Sequence, residues 1–297
     1  MVVCIIFLMS AERLKLSFLQ LLKNKIERIK RAKPVLCTFF MVIFLVVNDM
    51  QCYNFFLKNS ILTPFFVFSI MIFLLLYFVN GCTTIIAENT NHLLLMYITK
   101  VMLMPLLAIY FYVQTREIKQ YLHLYLALFF SWWGDIFLMF IRSGEVNSLV
   151  KNFFILGLIS FLIGHVNYIL HFLKEISRPF KDTLIGKKTY LLAPFLLFVL
   201  LLLKLLFPGL GSMKLPVTIY ALVIVAMAVT ALNRKEIVSN ASFWLVFIGA
   251  ILFVFSDSCI AINRFYQPFV EARVVIMSTY IVAQFCLVKG IVYTKKV

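Results

Sequence analysis

The chain has 297 residues, 63% of them hydrophobic, and a formal net charge of +16. Soluble domains contain roughly 45–50% apolar residues. A mean hydropathy of +1.01 excludes a soluble protein, since that much apolar surface cannot be hidden from water. The composition therefore predicts an integral membrane protein.

Charged residues make up only 13% of the chain and cluster in short segments between apolar runs. Such segments are typical of loops at a membrane surface, whereas nucleic-acid binding needs a basic soluble domain. The six cysteines lack the spacing of a metal site, and most lie in apolar runs, where Cys packs as a small hydrophobic residue. We therefore expect no nucleic-acid partner, no metal and no cofactor.

Residues 1–60 are predicted to form a basic N-terminal extension. The apolar run Pro34–Val47 is shorter than the about 20 residues that cross a hydrocarbon core. If it did cross, the basic stretch 12–33 would lie outside, against the charge rule. The run therefore predicts an interfacial or re-entrant helix. The first nine residues are apolar without a charged leader, so no cleavable signal peptide is expected.

Eight later segments are apolar and about long enough to span a bilayer. Short connections separate them and leave no room for a further extramembrane domain. The predicted fold class is an all-α integral membrane protein, with residues 61–294 forming a bundle of eight transmembrane helices at 61–80, 93–113, 121–141, 152–173, 190–207, 215–232, 242–263 and 274–294.

Lys and Arg are divided unequally between the two sides of this bundle. The two ends of the chain and every second connection hold 21 of them when Lys289, near the end of the last span, is counted with the C-terminal end; the opposite connections hold 5, and Lys100 and Lys204 lie inside spans. Because positive charge collects on the cytoplasmic side, both termini are predicted to be cytoplasmic.

Two aspartates, Asp135 and Asp257, lie deep inside predicted spans. A charge at this depth costs about 2.5–3.5 kcal/mol on insertion scales, so such residues usually face the interior of a bundle and mark a function. Small residues flank both acids, namely Gly134 on one side and Ser256 and Ser258 on the other. Small side chains allow helices to approach closely in lipid.

Other polar side chains fall at a similar depth in three more spans. They are Lys100 in the second, His165 in the fourth, and Tyr280 and Gln284 in the eighth. His165 and Tyr168 are three residues apart, and Tyr280 and Gln284 are four apart, so each pair shares a helix face. The combination predicts an internal cavity shared by five helices.

Each of these residues also has a plainer interpretation. A single intramembrane Asp also serves helix packing or a proton relay, and a single His165 is more often a hydrogen-bonded packing residue. Lys100 also fits as the neutralising partner of one Asp. Tyr280 and Gln284 also fit as interhelical hydrogen bonds, worth about 0.6 kcal/mol each on average. The functional interpretation therefore depends on the combination.

Four stretches resemble successive signatures of the YhhN-type lysoplasmalogenase family of multi-pass membrane proteins: SWWGDIFLMF, GLISFLIGHVNYILHF, GAILFVFSDSCIAINRF and IMSTYIVAQF. The last two, within Gly249–Phe285, are most similar to animal members. Lys100 and Pro105 resemble the family's Lys-x-x-Pro-like element, with a longer spacing. The resemblance covers about residues 61–294 and not the first 60.

The resemblance implies an eight-helix fold that hydrolyses the vinyl ether bond of lysoplasmalogens. The products would be a fatty aldehyde and glycerophosphocholine or glycerophosphoethanolamine. The partner would be a lysophospholipid within the membrane. A homodimer is a further expectation, and in a eukaryote the expected location is the endoplasmic reticulum membrane. Asp135 and Asp257 would be the catalytic pair, and the substrate-binding neighbours would be Lys100, His165, Tyr168, Asn263, Tyr280 and Gln284.

The chemistry of a vinyl ether agrees with an acid pair. Protonation of its β-carbon gives an oxocarbenium ion that water captures, much as paired carboxyls act in glycoside hydrolysis. No nucleophilic serine triad, phosphate loop or metal is needed. The apolar residues before Asp257 favour it as the proton donor, with Asp135 as the ionised partner assisted by His165 or Lys100.

A proton-coupled or small-molecule transporter is the main alternative, because buried Asp and Lys residues also mark transport sites. The spans show few Gly or Pro interruptions near the acids, apart from Pro105, which is less typical of a transporter. A membrane scaffold is a third class, and the short loops offer it no soluble docking surface.

The charge distribution predicts the side on which the chain ends. An epitope tag placed after Val297 should be accessible to antibody in cells whose plasma membrane alone is permeabilised, because the basic segments stay in the cytoplasm. Glycosylation of an acceptor site engineered at the same place would contradict this topology.

Overall fold

A computed structural model describes residues 63–143 and 148–294. The predicted N-terminal extension, with its interfacial helix, lies outside these residues. The described part is all-α, and turns and one-turn helices connect eight long helices. In chain order these are α1 (Thr63–Thr90), α2 (Leu93–Thr115), α3 (Leu122–Met139), α4 (Ser148–Glu175), α5 (Ala193–Leu206), α6 (Lys214–Leu232), α7 (Asn240–Phe265) and α8 (Ala272–Val292).

All eight helices coincide with segments long and apolar enough to cross a membrane, which confirms the predicted fold class. The first span differs most, because α1 continues ten residues beyond the predicted end at residue 80. Asn80 and Thr84 do not stop this helix, since the side chain of each has a hydrogen-bond acceptor, on α2 for Asn80 and within α1 for Thr84. Asn80 Nδ2 donates to the carbonyl of Thr99 at 2.7 Å, and Thr84 Oγ1 donates to the carbonyl of Asn80 at 2.8 Å.

The last helix, α8, lies at the centre of the described bundle. It packs against α1, α2 and α7, and 83% of its span is buried, compared with 11% for α5. Apolar residues on every face of a helix are typical of such a central position, and the polar side chains that α8 buries, Tyr280, Gln284 and Lys289, form hydrogen bonds. Helix α5 lies at the periphery, where it contacts α6 and α7 and presents half of its leucines outward.

Glycines allow α7 and α8 to pack closely. A Cβ atom at Gly249 would lie 3.0 Å from the carbonyl oxygen of Ala283, and one at Gly290 would lie 2.9 Å from the amide nitrogen of Val246. Both distances are too short for a side chain, so each glycine lets one helix backbone lie directly on the other. This contact fixes the position of Asp257 relative to α8.

A proline inside α2 is compensated by a tryptophan on α3. Pro105 has no N–H, so the carbonyl of Val101, four residues earlier, lacks its helical donor. The indole Nε1 of Trp132 donates to this carbonyl at 2.9 Å. The bond therefore joins α2 to α3 three residues before Asp135.

A buried arginine joins the ends of several helices on the side of the bundle where the chain ends. Arg234 is completely buried, and its Nε donates to Glu175 Oε2 at 2.6 Å. Its Nη2 donates to Ser242 Oγ at 2.9 Å and to Thr294 Oγ1 at 3.1 Å, and its guanidinium lies 5.2 Å from the Phe172 ring centroid. The arginine thus connects α4, the α6–α7 turn, α7 and the residues after α8.

Removing this arginine should destabilise the protein strongly. Arg234→Met leaves the Glu175 carboxylate buried without its cation, and breaking a buried ion pair costs about 3–5 kcal/mol. We expect a decrease of that size in the free energy of unfolding in detergent. Lys235→Ala, at the exposed neighbouring position, should change it little. A loss below about 1 kcal/mol for Arg234→Met would contradict the role of the pair.

Candidate active site

Six helices surround a cavity of about 410 Å³. It lies toward the ends of the helices that the α1–α2, α3–α4 and α7–α8 connections join. The cavity contains both aspartates, which confirms that Asp135 and Asp257 share one internal space. Its lining also includes three of the predicted neighbours, Lys100, Asn263 and Tyr280.

Asp135 is held on α3 by a hydrogen bond from α8. Asp135 is only 3% exposed, and Tyr280 Oη donates to its Oδ2 at 2.7 Å. Gln284 Nε2 donates to Tyr280 Oη at 3.4 Å, and Tyr168 Oη donates to Gln284 Oε1 at 2.6 Å. The shared face of Tyr280 and Gln284 is confirmed, and it forms a buried polar chain behind Asp135.

Asp257 has a different set of partners. Tyr220 Oη, on α6, donates a hydrogen bond to its Oδ2. His165 Nε2, on α4, lies 3.3 Å from the same oxygen and 3.0 Å from Tyr220 Oη. His165 therefore contacts Asp257, whereas the sequence placed it with Asp135.

His165, Tyr168 and Gln284 lie behind the cavity wall instead of lining it. They are 1%, 0% and 0% exposed respectively, and they are not among the side chains that line the cavity. Their contacts are with the tyrosines and carboxylates described above. They are therefore placed to orient the lining residues.

Lys100 forms a buried ion pair that the sequence did not predict. Its Nζ lies 3.0 Å from Glu88 Oε1, and the two residues are 9% and 6% exposed. Both line the cavity beside Asp135. Glu88 was placed in a connection because the first span was predicted to end at residue 80, whereas the longer α1 brings this acid against α2.

The mouth of the cavity carries two arginines and an asparagine. Arg273 Nη1 donates to Asn91 Oδ1 at 2.6 Å and to the carbonyl of Glu88 at 3.2 Å. Asn263 Oδ1 accepts from the amide of Phe269 at 3.2 Å, which orders the α7–α8 connection. Arg264 lies at the mouth beside Asn263 and also lines the cavity.

A glycine explains how the wall closes behind Asp135. A Cβ atom at Gly134 would lie 2.5 Å from the ring of Phe161, so only glycine allows this ring to pack against α3. Phe161 lines the cavity. On the other side, Ser256 Oγ donates to the carbonyl of Ile276 at 3.0 Å. The close approach predicted for small residues beside the acids is confirmed at Gly134.

A second, smaller cavity of about 40 Å³ lies beside the first, where α4, α6 and α7 meet on the mouth side of Asp257. It shares Asp257, Phe161 and Leu138 with the first, and Tyr220 and Val217 close it on the side of α6. Apart from Asp257 and Tyr220 its lining is apolar. The site therefore combines a charged mouth and two carboxyl groups with an apolar side pocket on the mouth side of Asp257.

The chain was also compared with known proteins. The YhhN family profile matches residues 95–291, a range that includes every predicted site residue but not Glu88. The chain is 29% identical over 177 residues to a bovine protein, lysoplasmalogenase TMEM86A of Bos taurus. This alignment covers 58% of the chain and 66% of the bovine protein, slightly less than two thirds of its length. No solved structure matches the chain.

The profile match covers more than half of the 297 residues and contains both aspartates. The eight apolar helices make the chain a multi-pass membrane protein. The chain therefore belongs to the YhhN family.

Proposed function

We propose that this protein hydrolyses the vinyl ether bond of lysoplasmalogens, releasing a fatty aldehyde and glycerophosphocholine or glycerophosphoethanolamine. The observation that carries the proposal is the pair of buried carboxyl groups, Asp135 and Asp257, facing one cavity. Family membership and the similarity to a bovine lysoplasmalogenase support the choice of substrate.

In the first step, protonated Asp257 transfers its proton to the β-carbon of the vinyl ether. The new C–H bond forms from the double-bond electrons, and the positive charge spreads over the α-carbon and the ether oxygen. Ionised Asp135, across the cavity, stabilises this oxocarbenium ion, the role that the second carboxyl has in glycoside hydrolysis.

Water then attacks the α-carbon and gives up a proton to Asp135, which leaves a neutral hemiacetal. In the last step the hemiacetal hydroxyl returns a proton to Asp257, while Asp135 protonates the departing glycerol oxygen. The C–O bond breaks to give the aldehyde and the glycerol product. One water is consumed, and both carboxyl groups regain their starting states, so the cycle needs no further reactant.

The surrounding residues have supporting roles in this proposal. Tyr280 holds Asp135 in position and is itself held by the buried Gln284–Tyr168 bond. Tyr220 and His165 orient Asp257 toward the cavity. Lys100 and Asn263 line the cavity on the side of the mouth, where the polar part of a lysolipid would lie.

The polarity of the site agrees with an amphiphilic substrate. A lysolipid that enters with its head group at the mouth can place apolar atoms in the side pocket next to Asp257. An apolar pocket beside the acids suits a lipid better than a soluble solute, which favours a lipid hydrolase over the transporter alternative. A homodimer and the endoplasmic reticulum membrane remain predictions for this protein.

Substitution of either aspartate should abolish turnover. Asp135→Asn and Asp257→Asn keep the shape of the side chain but cannot exchange the proton, and acid–base catalysis contributes roughly 10²–10⁴-fold to rate. We expect purified variants to release aldehyde from an alkenyl lysolipid at least about 100-fold more slowly than the unmodified protein, with unchanged helical circular dichroism.

Asp182→Asn is the matched control, because Asp182 is exposed in the α4–α5 connection, and its activity should be unchanged. Near-normal turnover in either buried variant would remove that aspartate from the catalytic pair. If the unmodified protein releases no aldehyde but moves an alkenyl lipid or a solute across vesicles, the transporter alternative replaces the hydrolase.

The tyrosine on α6 should affect rate more than substrate affinity. Tyr220→Phe removes the O–H donor to Asp257 and keeps the ring that closes the small cavity. Asp257 becomes a carboxylate as it gives up its proton, and a hydrogen bond to a charged group contributes about 1.5–3 kcal/mol, so kcat should fall by about 10-fold or more with little change in KM. Tyr190→Phe, at a position that is 69% exposed, is the control. Equal kcat for Tyr220→Phe and the unmodified protein would show that this tyrosine does not position the acid.

A further inference from the structure

Arg264 is positioned on the same helix face as Asp257. Seven residues separate the two on α7, which is nearly two helical turns and about 10 Å along the axis. In a helix the Cα–Cβ bond tilts toward the N-terminus. The side chain of Arg264 therefore leans from the end of α7 back toward the aspartate, and both residues line the same cavity.

The guanidinium of Arg264 is held by an aromatic ring and not by an acid. Its Cζ lies 4.0 Å from the centroid of the Phe154 ring. Among the residues that the structure describes, no carboxylate lies within ion-pair distance of it. Lys100 and Arg234, in contrast, each have a glutamate partner. Within the described residues, Arg264 therefore has an aromatic partner at the cavity mouth and no acidic one.

An arginine held against an aromatic ring is preorganised to bind an anion. Stacking on a ring fixes the guanidinium plane while leaving its N–H groups directed outward within that plane. These groups match the oxygen atoms of a phosphate, which they can bind in a bidentate manner. Arg264 is exposed, so its donors can be reached from the mouth.

Arg273, near the start of the neighbouring helix α8, is a second positive side chain at the cavity mouth. It lies seven residues before Tyr280 on α8, and Tyr280 is the residue that holds Asp135. Its contacts with the described residues use Nη1 alone, through Asn91 and the carbonyl of Glu88. Two positive side chains therefore stand at the same end of the cavity, Arg264 about two turns from Asp257 and Arg273 about two turns from the tyrosine that holds Asp135.

We propose that Arg264, assisted by Arg273, binds the phosphodiester of a lysophospholipid head group while the vinyl ether lies between the two aspartates. This inference rests on the proposed function for its substrate class. In a lysoplasmalogen the glycerol backbone separates the ether oxygen from the phosphate. The glycerol backbone of the lipid and the inward-leaning side chain of Arg264 together span the distance between the acids and the mouth.

This assignment orients the lipid as it lies in a bilayer leaflet, with the phosphate at the surface and the chain deeper. It also gives the protein a means of selecting phospholipids, since an alkenyl glycerol without a phosphate would lack the ligand of Arg264. A lipid head group and inorganic phosphate both carry the phosphate that Arg264 would bind, and the binding experiment below distinguishes them.

Binding to the full chain in nanodiscs tests the proposal without requiring turnover. The probes are a saturated 1-O-alkyl-glycerophosphocholine, which has no vinyl ether to cleave, and the matching 1-O-alkylglycerol, which has no phosphate. Arg264→Gln should raise the Kd of the phosphate-bearing lipid by about 10–100-fold, the loss expected for hydrogen bonds to a charged group. The Kd of the alkylglycerol should not change.

Arg178→Gln is the matched control, since Arg178 is exposed in the α4–α5 connection, and it should alter neither Kd. Arg264→Lys keeps the charge and loses the planar donors, so it should give a smaller loss than the glutamine variant. Unchanged binding of the phosphate lipid by Arg264→Gln, or equal losses for both lipids, would overturn the proposal. Binding of inorganic phosphate alone that depends on Arg264 would instead assign the site to free phosphate.

These outcomes separate the inference from the proposed function. If the alkyl phospholipid binds through Arg264 but no aldehyde is formed from an alkenyl lipid, the head-group site stands and the hydrolase proposal fails. If aldehyde is formed but binding is indifferent to Arg264, only the head-group site fails. With an alkenyl substrate, Arg264→Gln should raise KM more than it lowers kcat.

Discussion

A carboxyl group inside a bilayer is tolerated only where hydrogen-bond donors take the place of water. In this protein a tyrosine from another helix provides that donor to each acid, Tyr280 to Asp135 and Tyr220 to Asp257. The two bonds connect α3 to α8 and α6 to α7. The contacts that make the acids tolerable in lipid therefore also set how the helices pack, so the stability of the bundle and the geometry of the site depend on each other.

The sequence was most informative where the energetic cost of a residue is large. An aspartate in an apolar run has few explanations other than an internal cavity, and Asp135 and Asp257 do line one. Helical spacing placed Tyr280 and Gln284 on one face, and they are hydrogen-bonded to each other. Seven of the eight spans were located within a few residues for the same reason, because hydropathy is a property of the segment alone.

Contacts between helices could not be read in this way, since they depend on how each helix is rotated against its neighbours. Tyr220 carried no signal because a tyrosine in an apolar span is usual at a membrane boundary. Glu88 was missed because α1 is longer than the predicted first span, and Arg264 was counted as a loop charge. His165 was paired with the wrong aspartate, because α4 packs against α6 as well as α3 and brings the imidazole to Tyr220.

The bond between Trp132 and Val101 has a consequence for how this family can change over time. The carbonyl of Val101 needs a hydrogen-bond donor from another helix only while residue 105 is a proline. Trp132 is therefore costly to replace while residue 105 is proline. It is dispensable in a chain whose residue 105 has a backbone N–H. The two positions are expected to show epistasis, with the tryptophan lost only after the proline. Their order of substitution would be one-directional, although neither residue touches the cavity.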